Sequence, residues 1–248
     1  MFDFRNLRFD YEPFPIGLMR PVLEQSFYDR LCETYPDRSL FEFKPELGNK
    51  YSASEINNPE NYKRFIRSTP EWSRLHAYVK GDQFIPGVLA LLESHHIDLG
   101  LGRYSVVSSK PIKSRASALS RVLRRTELSA RFEFSMMGAD GGHILPHTDS
   151  QNKLITLVLS MMKPGDWNPA WGGGTNIVMP RDRSLLYNQV NRSLPFSEVE
   201  VLKTFPFDPN QCVIFVKTFN SWQAVSPMSG KATDPLRKTL TVNIEAKI

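Results

Sequence analysis

Apolar residues recur every three to four positions along the first third of the chain. This spacing gathers them on one side of a helix, so it predicts amphipathic helices in that part of the molecule. Pro36 ends the first of them, and Thr69, placed before Pro70, is a residue type that caps a helix start. The predicted helices cover residues 21–35, 59–66, 69–79 and 84–95.

The pattern changes to short β-strands after about residue 130. Apolar runs and alternating segments are separated there by Gly, Pro, Asn and Asp, the residues that favour turns. The predicted strands cover residues 131–136, 153–161, 175–179, 211–216 and 238–244. Many short strands after a helical part indicate a mainly β protein with flanking helices (α+β), built as a sandwich or jelly roll. We expect one domain over residues 1–248, with a helical part at 1–130, a strand-rich core at 131–248, and the helices packed on one sheet.

Composition supports a globular protein, because 41% of the residues are hydrophobic and 23% are charged. No run approaches the roughly 18 apolar residues that a membrane helix needs. The N-terminus carries mixed charge without an apolar signal segment. Cys32 and Cys212 lie far apart and lack the spacing of a metal site. We therefore predict buried free thiols in a cytoplasmic protein that does not enter a membrane.

The net charge of +5 is concentrated in one segment. The basic residues there are Arg103, Lys110, Lys113, Arg115, Arg121, Arg124, Arg125 and Arg131, opposed only by Glu127. This segment is either a docking surface for an anionic partner or a solvated basic helix and loop. Tyr104 is its single aromatic residue, and the lack of interleaved aromatics does not favour nucleic acid as the partner.

The strongest local candidate for chemistry is the pair His147 and Asp149, which follows Gly141-Gly142 and Pro146. In an extended segment, residues two apart point to the same side, so an imidazole and a carboxylate could face one ion. That ligand pair, with open positions, is typical of non-haem iron(II) oxygenases. A His-x-Asp motif alone is common by chance and has low specificity as a metal-site signal. Here the motif lies between two predicted strands, and this context makes the signal more specific.

Further motifs follow in a fixed order. They are Pro146-His147-Thr148-Asp149, Ile155-Thr156-Leu157, Asp166-Trp167, Trp171-Gly172-Gly173-Gly174-Thr175, Asn220-Ser221-Trp222-Gln223-Ala224-Val225 and Arg237-Lys238-Thr239. Together they resemble the prolyl-hydroxylase-like branch of the iron(II)/2-oxoglutarate-dependent dioxygenases over about residues 131–248. The resemblance implies a double-stranded β-helix (jelly roll) core and a hydroxylase that uses Fe(II), 2-oxoglutarate and O₂.

The resemblance also implies roles for individual residues. His147 and Asp149 would bind the metal, while Arg237 and Thr239 share one side of a strand and suit the distal carboxylate of 2-oxoglutarate. Where this branch carries a co-substrate-binding Tyr, the chain has Ser135-Met136-Met137, so Ser135 or Thr156 would help instead. The substrate would be a small molecule or a group linked to a carrier or peptide, with an anionic one suiting the basic segment.

The chain departs from the family pattern at Gln223, which stands where the second histidine ligand is expected. Three interpretations remain open. Gln223 binds the metal weakly through its amide oxygen, since imidazole suits iron(II) better; His143 bends in as a substitute; or the metal site is impaired. The last favours a catalytically impaired or inactive oxygenase-fold protein that acts as an anionic-ligand binding module. A cupin-like sugar-modifying enzyme without a redox step is a further alternative for the function.

Overall fold

A computed structural model of the protein describes residues 1–107 and 125–247. Four α-helices lie in the first part of the chain: α1 (Gln25–Glu33), α2 (Pro59–Ser68), α3 (Pro70–Lys80) and α4 (Phe84–Ser94). The strands are β1 (Arg8–Asp10), β2 (Ile16–Met19), β3 (Glu42–Lys44), β4 (Lys50–Ser54), β5 (Tyr104–Val106), β6 (Thr126–Met137), β7 (Ile144–His147), β8 (Lys153–Ser160), β9 (Thr175–Pro180), β10 (Val199–Phe205), β11 (Cys212–Val216), β12 (Gln223–Val225) and β13 (Arg237–Lys247).

The strands form two sheets whose order identifies the architecture. The larger sheet contains β11-β8-β13-β6 at its centre, and the smaller sheet is β10-β9-β12-β7. All pairings among these eight strands are antiparallel. Strands from β6 onward thus cross repeatedly between the two sheets, which is the arrangement of a double-stranded β-helix. The predicted fold class is confirmed.

The outer face of the larger sheet is covered by the N-terminal helices. Phe132 and Phe134 on β6 are fully buried there, and the rings of Trp72 on α3 and Phe134 lie 4.7 Å apart in an edge-to-face contact. Burial of these large apolar side chains is the main stabilising term of the domain. The predicted packing of the helices on one sheet is therefore confirmed.

The helix bounds differ from the predicted ones mainly at the first helix. It begins at Gln25, because the carboxylate of Glu24 accepts hydrogen bonds from the backbone N–H groups of Ser26 (2.9 Å) and Phe27 (3.0 Å). That cap satisfies donors that every helix start leaves free. The apolar residues before it extend the periodic pattern but belong to the preceding irregular segment.

The N-terminal part also contributes strands that the sequence pattern did not predict. β2 pairs with β11 and β4 pairs with β6, so chain segments from the first part extend the larger sheet at both edges. β5 runs parallel to β6, which begins at Thr126, ahead of the expected start of the strand-rich part at residue 131. Strands of three to five residues are too short to show a clear period of two.

The inner face of β6 is polar, and one residue of the basic segment, Arg131, lies on this strand. Arg131 donates through Nε to Glu245 Oε1 (3.0 Å) and also pairs with Glu133, so it belongs to an internal ion cluster and not to a docking surface. Lys110, Lys113, Arg115, Arg121 and Arg124 lie outside the described residues.

Within residues 1–107 and 125–247, no helix is long and apolar enough to cross a membrane. Cys32 and Cys212 are free thiols, and burial raises the pKa of Cys32 to about 11.

Candidate active site

A cavity of about 410 Å³ opens between the two sheets. Its volume lies within the roughly 300–1,000 Å³ of small-ligand pockets. Seven residues that the sequence singled out for metal or co-substrate binding line this one cavity: Ser135, His147, Asp149, Thr156, Gln223, Arg237 and Thr239. They come from five strands and one turn, and the fold alone brings them together.

His147 and Asp149 approach each other, but not in the way the sequence argument assumed. β7 ends at His147, and Asp149 lies in the following turn with φ of 68°, in the left-handed region. An extended segment over both residues was therefore the wrong local structure. The turn nevertheless brings His147 Nε2 to 3.5 Å from Asp149 Oδ1.

The orientation of the His147 ring leaves Nε2 available as a ligand. Nδ1 lies 2.8 Å from the carbonyl oxygen of Leu145, which can only accept a hydrogen bond, so Nδ1 carries the proton. In the neutral ring, Nε2 then has a free lone pair that faces a carboxylate oxygen. Metal-binding histidines commonly have this kind of outer hydrogen bond.

Gln223 stands directly opposite His147, since β12 pairs with β7 at these two positions. Its amide Nε2 donates to Asp149 Oδ2 at 3.0 Å. The carboxylate fixes this orientation, because the amide oxygen would be repelled by it. Gln223 Oε1 is buried and has no hydrogen-bond partner in the described part of the chain. A buried, unsatisfied carbonyl oxygen calls for a partner such as a cation or a donor group.

Asp149 receives further donors from β8. Lys153 Nζ lies 2.7 Å from Asp149 Oδ1, and Thr156 Oγ1 lies 3.2 Å from Oδ2 and 3.0 Å from Asn243 Oδ1. Burial by itself raises the pKa of the Asp149 carboxyl, but the Lys153 ammonium outweighs burial and holds that pKa well below its ordinary value. Asp149 is therefore ionised, and one cation of the protein, Lys153, already pairs with it.

The other end of the cavity contains Arg237. It is 4% exposed, donates through Nε to the carbonyl oxygen of Gly173 (2.7 Å), and has its guanidinium carbon 4.4 Å from the centre of the Phe207 ring. No carboxylate of residues 1–107 or 125–247 forms an ion pair with it. Burial lowers the pKa of Arg237 from 12.5 to about 10. A buried guanidinium without an acidic partner is expensive unless an anion joins it.

Two hydroxyls lie beside Arg237. Ser135 Oγ and Thr239 Oγ1 are 2.8 Å apart across the β6–β13 pair, and both face the cavity. The Tyr35 hydroxyl lies within hydrogen-bonding distance of the backbone carbonyl oxygens of the same two residues, at 2.9 and 2.8 Å. The Tyr35 hydroxyl therefore links β6 and β13 at the positions of the Ser135 and Thr239 hydroxyls.

The structure argues against His143 as a substitute ligand. Its Nδ1 lies 2.9 Å from the carbonyl oxygen of Gly141, its ring packs edge-on against Phe196, and it does not line the cavity. The sequence argument missed Lys153 and Phe207, because a lysine four positions after an aspartate and a lone phenylalanine carry no motif.

The donor set fits a divalent metal of the iron(II) type. It offers one imidazole nitrogen, one carboxylate and one amide oxygen, and it leaves other positions open. Among the described residues, no group of three or more His, Cys, Asp or Glu side chains could hold a metal, so His147 and Asp149 have no third partner of these residue types. The unsatisfied Gln223 Oε1 is the observation that supports this fit.

Several solved structures are similar to this chain, and three of them are prolyl hydroxylases. A prolyl-4-hydroxylase from Pseudomonas putida is 12% identical, with a TM-score of 0.48 over 93% of this chain and 91% of the other. A Trichoplax adhaerens prolyl hydroxylase, solved with a peptide fragment of hypoxia inducible factor, is 10% identical, with a TM-score of 0.49 over 93% and 83%. A collagen prolyl hydroxylase from Paramecium bursaria Chlorella virus-1, solved with 2-oxoglutarate, is 11% identical, with a TM-score of 0.47 over 93% and 96%.

These structures belong to the branch whose motifs the sequence resembles. No protein-family model matches the sequence, and no curated protein matches it. Because the TM-scores lie below 0.5, the double-stranded β-helix rests on the strand order of the chain itself.

Proposed function

We propose that this protein is a 2-oxoglutarate-dependent oxygenase of the non-haem iron(II) type. The observation that carries the proposal is the pairing of two incomplete half-sites in one cavity. One half is the His147, Asp149 and Gln223 donor set, with an unsatisfied amide oxygen. The other is the buried Arg237 guanidinium without a carboxylate partner in the described residues. A metal ion and a dicarboxylate would satisfy both.

Arg237 and Thr239 would bind the distal carboxylate of 2-oxoglutarate. The guanidinium is a planar fork that donates two parallel hydrogen bonds to a carboxylate, and only its Nε is committed to Gly173. The Arg237 guanidinium packs over the face of the Phe207 ring in a cation–π contact. The paired hydroxyls of Ser135 and Thr239 would add a donor beside it.

His147, Asp149 and Gln223 would hold the iron at the opposite end. Bound iron(II) with 2-oxoglutarate would supply the oxidising chemistry that hydroxylates a substrate C–H bond, using O₂. The residues of the chain orient the partners: Leu145 fixes the His147 ring, and Thr156 and Gln223 donate to Asp149 Oδ2. The cavity leaves room for a small molecule or one side chain of a peptide- or carrier-linked substrate.

An anaerobic titration of the protein with Fe(II) and 2-oxoglutarate tests the proposal. The chelate between metal and keto acid has a weak visible absorption band, which we expect in the wild-type protein. The variant Asp149→Ala should show no band, because it removes the anionic ligand. Arg237→Met should show the band only at much higher 2-oxoglutarate concentration, because it leaves the metal ligands intact and removes the carboxylate partner.

Aerobic succinate formation provides the second readout. We expect slow, Fe(II)-dependent succinate release from the wild type even without a substrate, and none from Asp149→Ala. Equal succinate formation in the two proteins would refute the assignment of the metal ligands. A wild type that forms neither the band nor succinate at millimolar Fe(II) would refute the oxygenase proposal as a whole.

A second candidate is an anion-binding module without turnover on the same fold. The observation that favours it is the ammonium of Lys153, which already lies 2.7 Å from Asp149 Oδ1. Together with the amide of Gln223, it leaves Asp149 saturated by protein donors. Binding of 2-oxoglutarate that does not depend on any metal, and that Arg237→Met abolishes, would favour this candidate.

A further inference from the structure

Lys153 forms an ion pair with the Asp149 carboxylate, which a bound metal would also need. Its ammonium lies 2.7 Å from Asp149 Oδ1, the same oxygen that is 3.5 Å from His147 Nε2. The lysine side chain is 20% exposed and the aspartate 10%, so water screens this ion pair weakly. A cation that binds between His147 and Asp149 must therefore compete with a charge that the protein supplies.

A second carboxylate, that of Glu245, lies beside Lys153 and could pair with its ammonium. β8 pairs with β13, and Lys153 is the cross-strand partner of Glu245. Glu245 is 2% exposed, and its Oε1 accepts from Arg131 Nε at 3.0 Å. Its other oxygen, Oε2, is buried and has no hydrogen-bond partner within the part of the chain that the structure describes.

The surroundings of Glu245 agree with an unfilled acceptor. Burial raises the pKa of Glu245 above its ordinary value, although Arg131 and Lys153 act in the opposite direction. Arg131 is shared with Glu133, which also binds Lys50 Nζ at 2.7 Å. One cation is thus divided between two carboxylates, and Glu245 gains most from a further ammonium.

The lysine has the reach and the freedom to change partners. It carries a compact charge on a flexible four-carbon stem with three donor hydrogens. Because Lys153 and Glu245 stand side by side on paired strands, the exchange needs only side-chain rotation. Asp149 lies four residues before the same lysine, in the turn that precedes β8.

We propose that Lys153 is an internal competitor for the metal, which pairs with Asp149 when the cation site is empty and moves to Glu245 Oε2 when a divalent cation binds. This inference rests on the proposed function, because it requires His147, Asp149 and Gln223 to bind a cation. Lys153 acts here as a positioning residue that sets metal affinity, and Glu245 lowers the cost of displacing it.

Manganese(II) is the probe for the test, because it binds the same kind of donor set without oxidation and its free ion is counted directly by electron paramagnetic resonance. The full-length, chelator-treated protein is titrated with MnCl₂. Lys153→Met should bind Mn(II) roughly 10- to 100-fold more tightly than wild type, the factor that corresponds to one hydrogen bond to a charged group. Lys153→Arg keeps the charge and should stay close to wild type.

A matched control separates the contact from the charge alone. Lys217 acts on Asp149 electrostatically without bonding to it, so Lys217→Met removes the same charge and should change the Mn(II) affinity far less than Lys153→Met. The receiving carboxylate gives an independent arm. Glu245→Gln removes the negative charge that would receive Lys153, so Mn(II) should bind more weakly than in wild type, while Lys153→Met/Glu245→Gln should match Lys153→Met.

The outcomes distinguish the inference from the proposed function. Measurable and equal Mn(II) affinity in wild type and Lys153→Met would overturn the competitor role and leave the cation site standing. No Mn(II) binding in either protein would overturn both. If Lys153→Met fails to fold, an unchanged affinity in Glu245→Gln overturns the exchange, and a weakened one supports it. Circular dichroism of each variant verifies the fold.

Discussion

Replacing Arg237 by methionine should separate stability from binding, because the two respond in opposite directions. The guanidinium is buried without a carboxylate partner in the described residues, so the ligand-free protein bears its desolvation. A bound dicarboxylate would offset that cost. Methionine keeps much of the length and volume of arginine and carries no charge. Arg237→Met should therefore leave the ligand-free protein as stable as wild type or more so, while it loses affinity for 2-oxoglutarate.

The magnitude follows from the pKa of Arg237 and its remaining contacts. A fall from 12.5 to about 10 means that the folded environment disfavours the charged form by roughly 3 kcal/mol. The substitution also loses the hydrogen bond to Gly173 and the contact with Phe207, at roughly 1 kcal/mol each. The net gain is roughly 1 kcal/mol, which raises the Tm by roughly 2–4 °C in a domain of this size. The lost carboxylate pairing should weaken 2-oxoglutarate binding by roughly 2–5 kcal/mol.

Scanning calorimetry with and without 2-oxoglutarate measures both quantities. Saturating ligand should raise the Tm of the wild type and leave that of Arg237→Met unchanged. Arg183→Met serves as the control, because Arg183 is exposed and paired with Glu200 at 2.8 Å, so neither value should move much. A ligand-free Tm that falls by several degrees in Arg237→Met, together with an intact ligand shift, would show that Arg237 is a structural residue and not an anion site.

Two further changes probe the metal end and the internal ion cluster. Gln223→His should strengthen Mn(II) binding by at least ~1.4 kcal/mol, a factor of about ten, because imidazole is the better ligand; an unchanged affinity would mean that position 223 does not contact the ion. Glu133 has a pKa of about 2, since Lys50 and Arg131 outweigh the effect of burial, whereas its ordinary pKa is 4.5. Its ionised form therefore contributes roughly 3 kcal/mol above pH 4.5, lost as the pH falls toward 2. Denaturant titrations should show a stability deficit of Glu133→Gln that is largest near neutral pH and shrinks between pH 5 and 3, and a constant deficit would contradict this account.

The sequence predicted the parts of the fold that repeat a regular pattern. The amphipathic segments later seen as α2, α3 and α4 and the long strands β6, β8 and β13 show the periods of 3.6 and 2 that the patterning rules detect. The short strands β7 and β12 show neither period, because tertiary pairing determines their conformation. They carry His147 and Gln223, so the strands that matter most for the site were the hardest to predict.

The candidate site was predictable as a set of residues but not as a set of contacts. Ordered motifs were enough to select residues that line one cavity. They could not reveal that Asp149 has a left-handed backbone, or that Lys153 bonds to it. Both facts depend on the turn that joins β7 of the smaller sheet to β8 of the larger one, and both strands pair with partners distant in sequence.

The hydroxyl of Tyr35 has a consequence for attempts to transplant this cavity. It reaches the backbone of Ser135 and Thr239 from outside the barrel, at the two residues whose side chains face the ligand end within. Residues 126–247 expressed alone would lose this clamp and would expose the apolar outer face of the larger sheet, a surface prone to aggregation. Transfer of the cavity to another protein, or its evolution for a different carboxylic acid, therefore requires the N-terminal helices as well. Substitutions at residues that pack against the Tyr35 ring, such as Trp72 and Phe134, should accordingly alter ligand binding without touching the ligand.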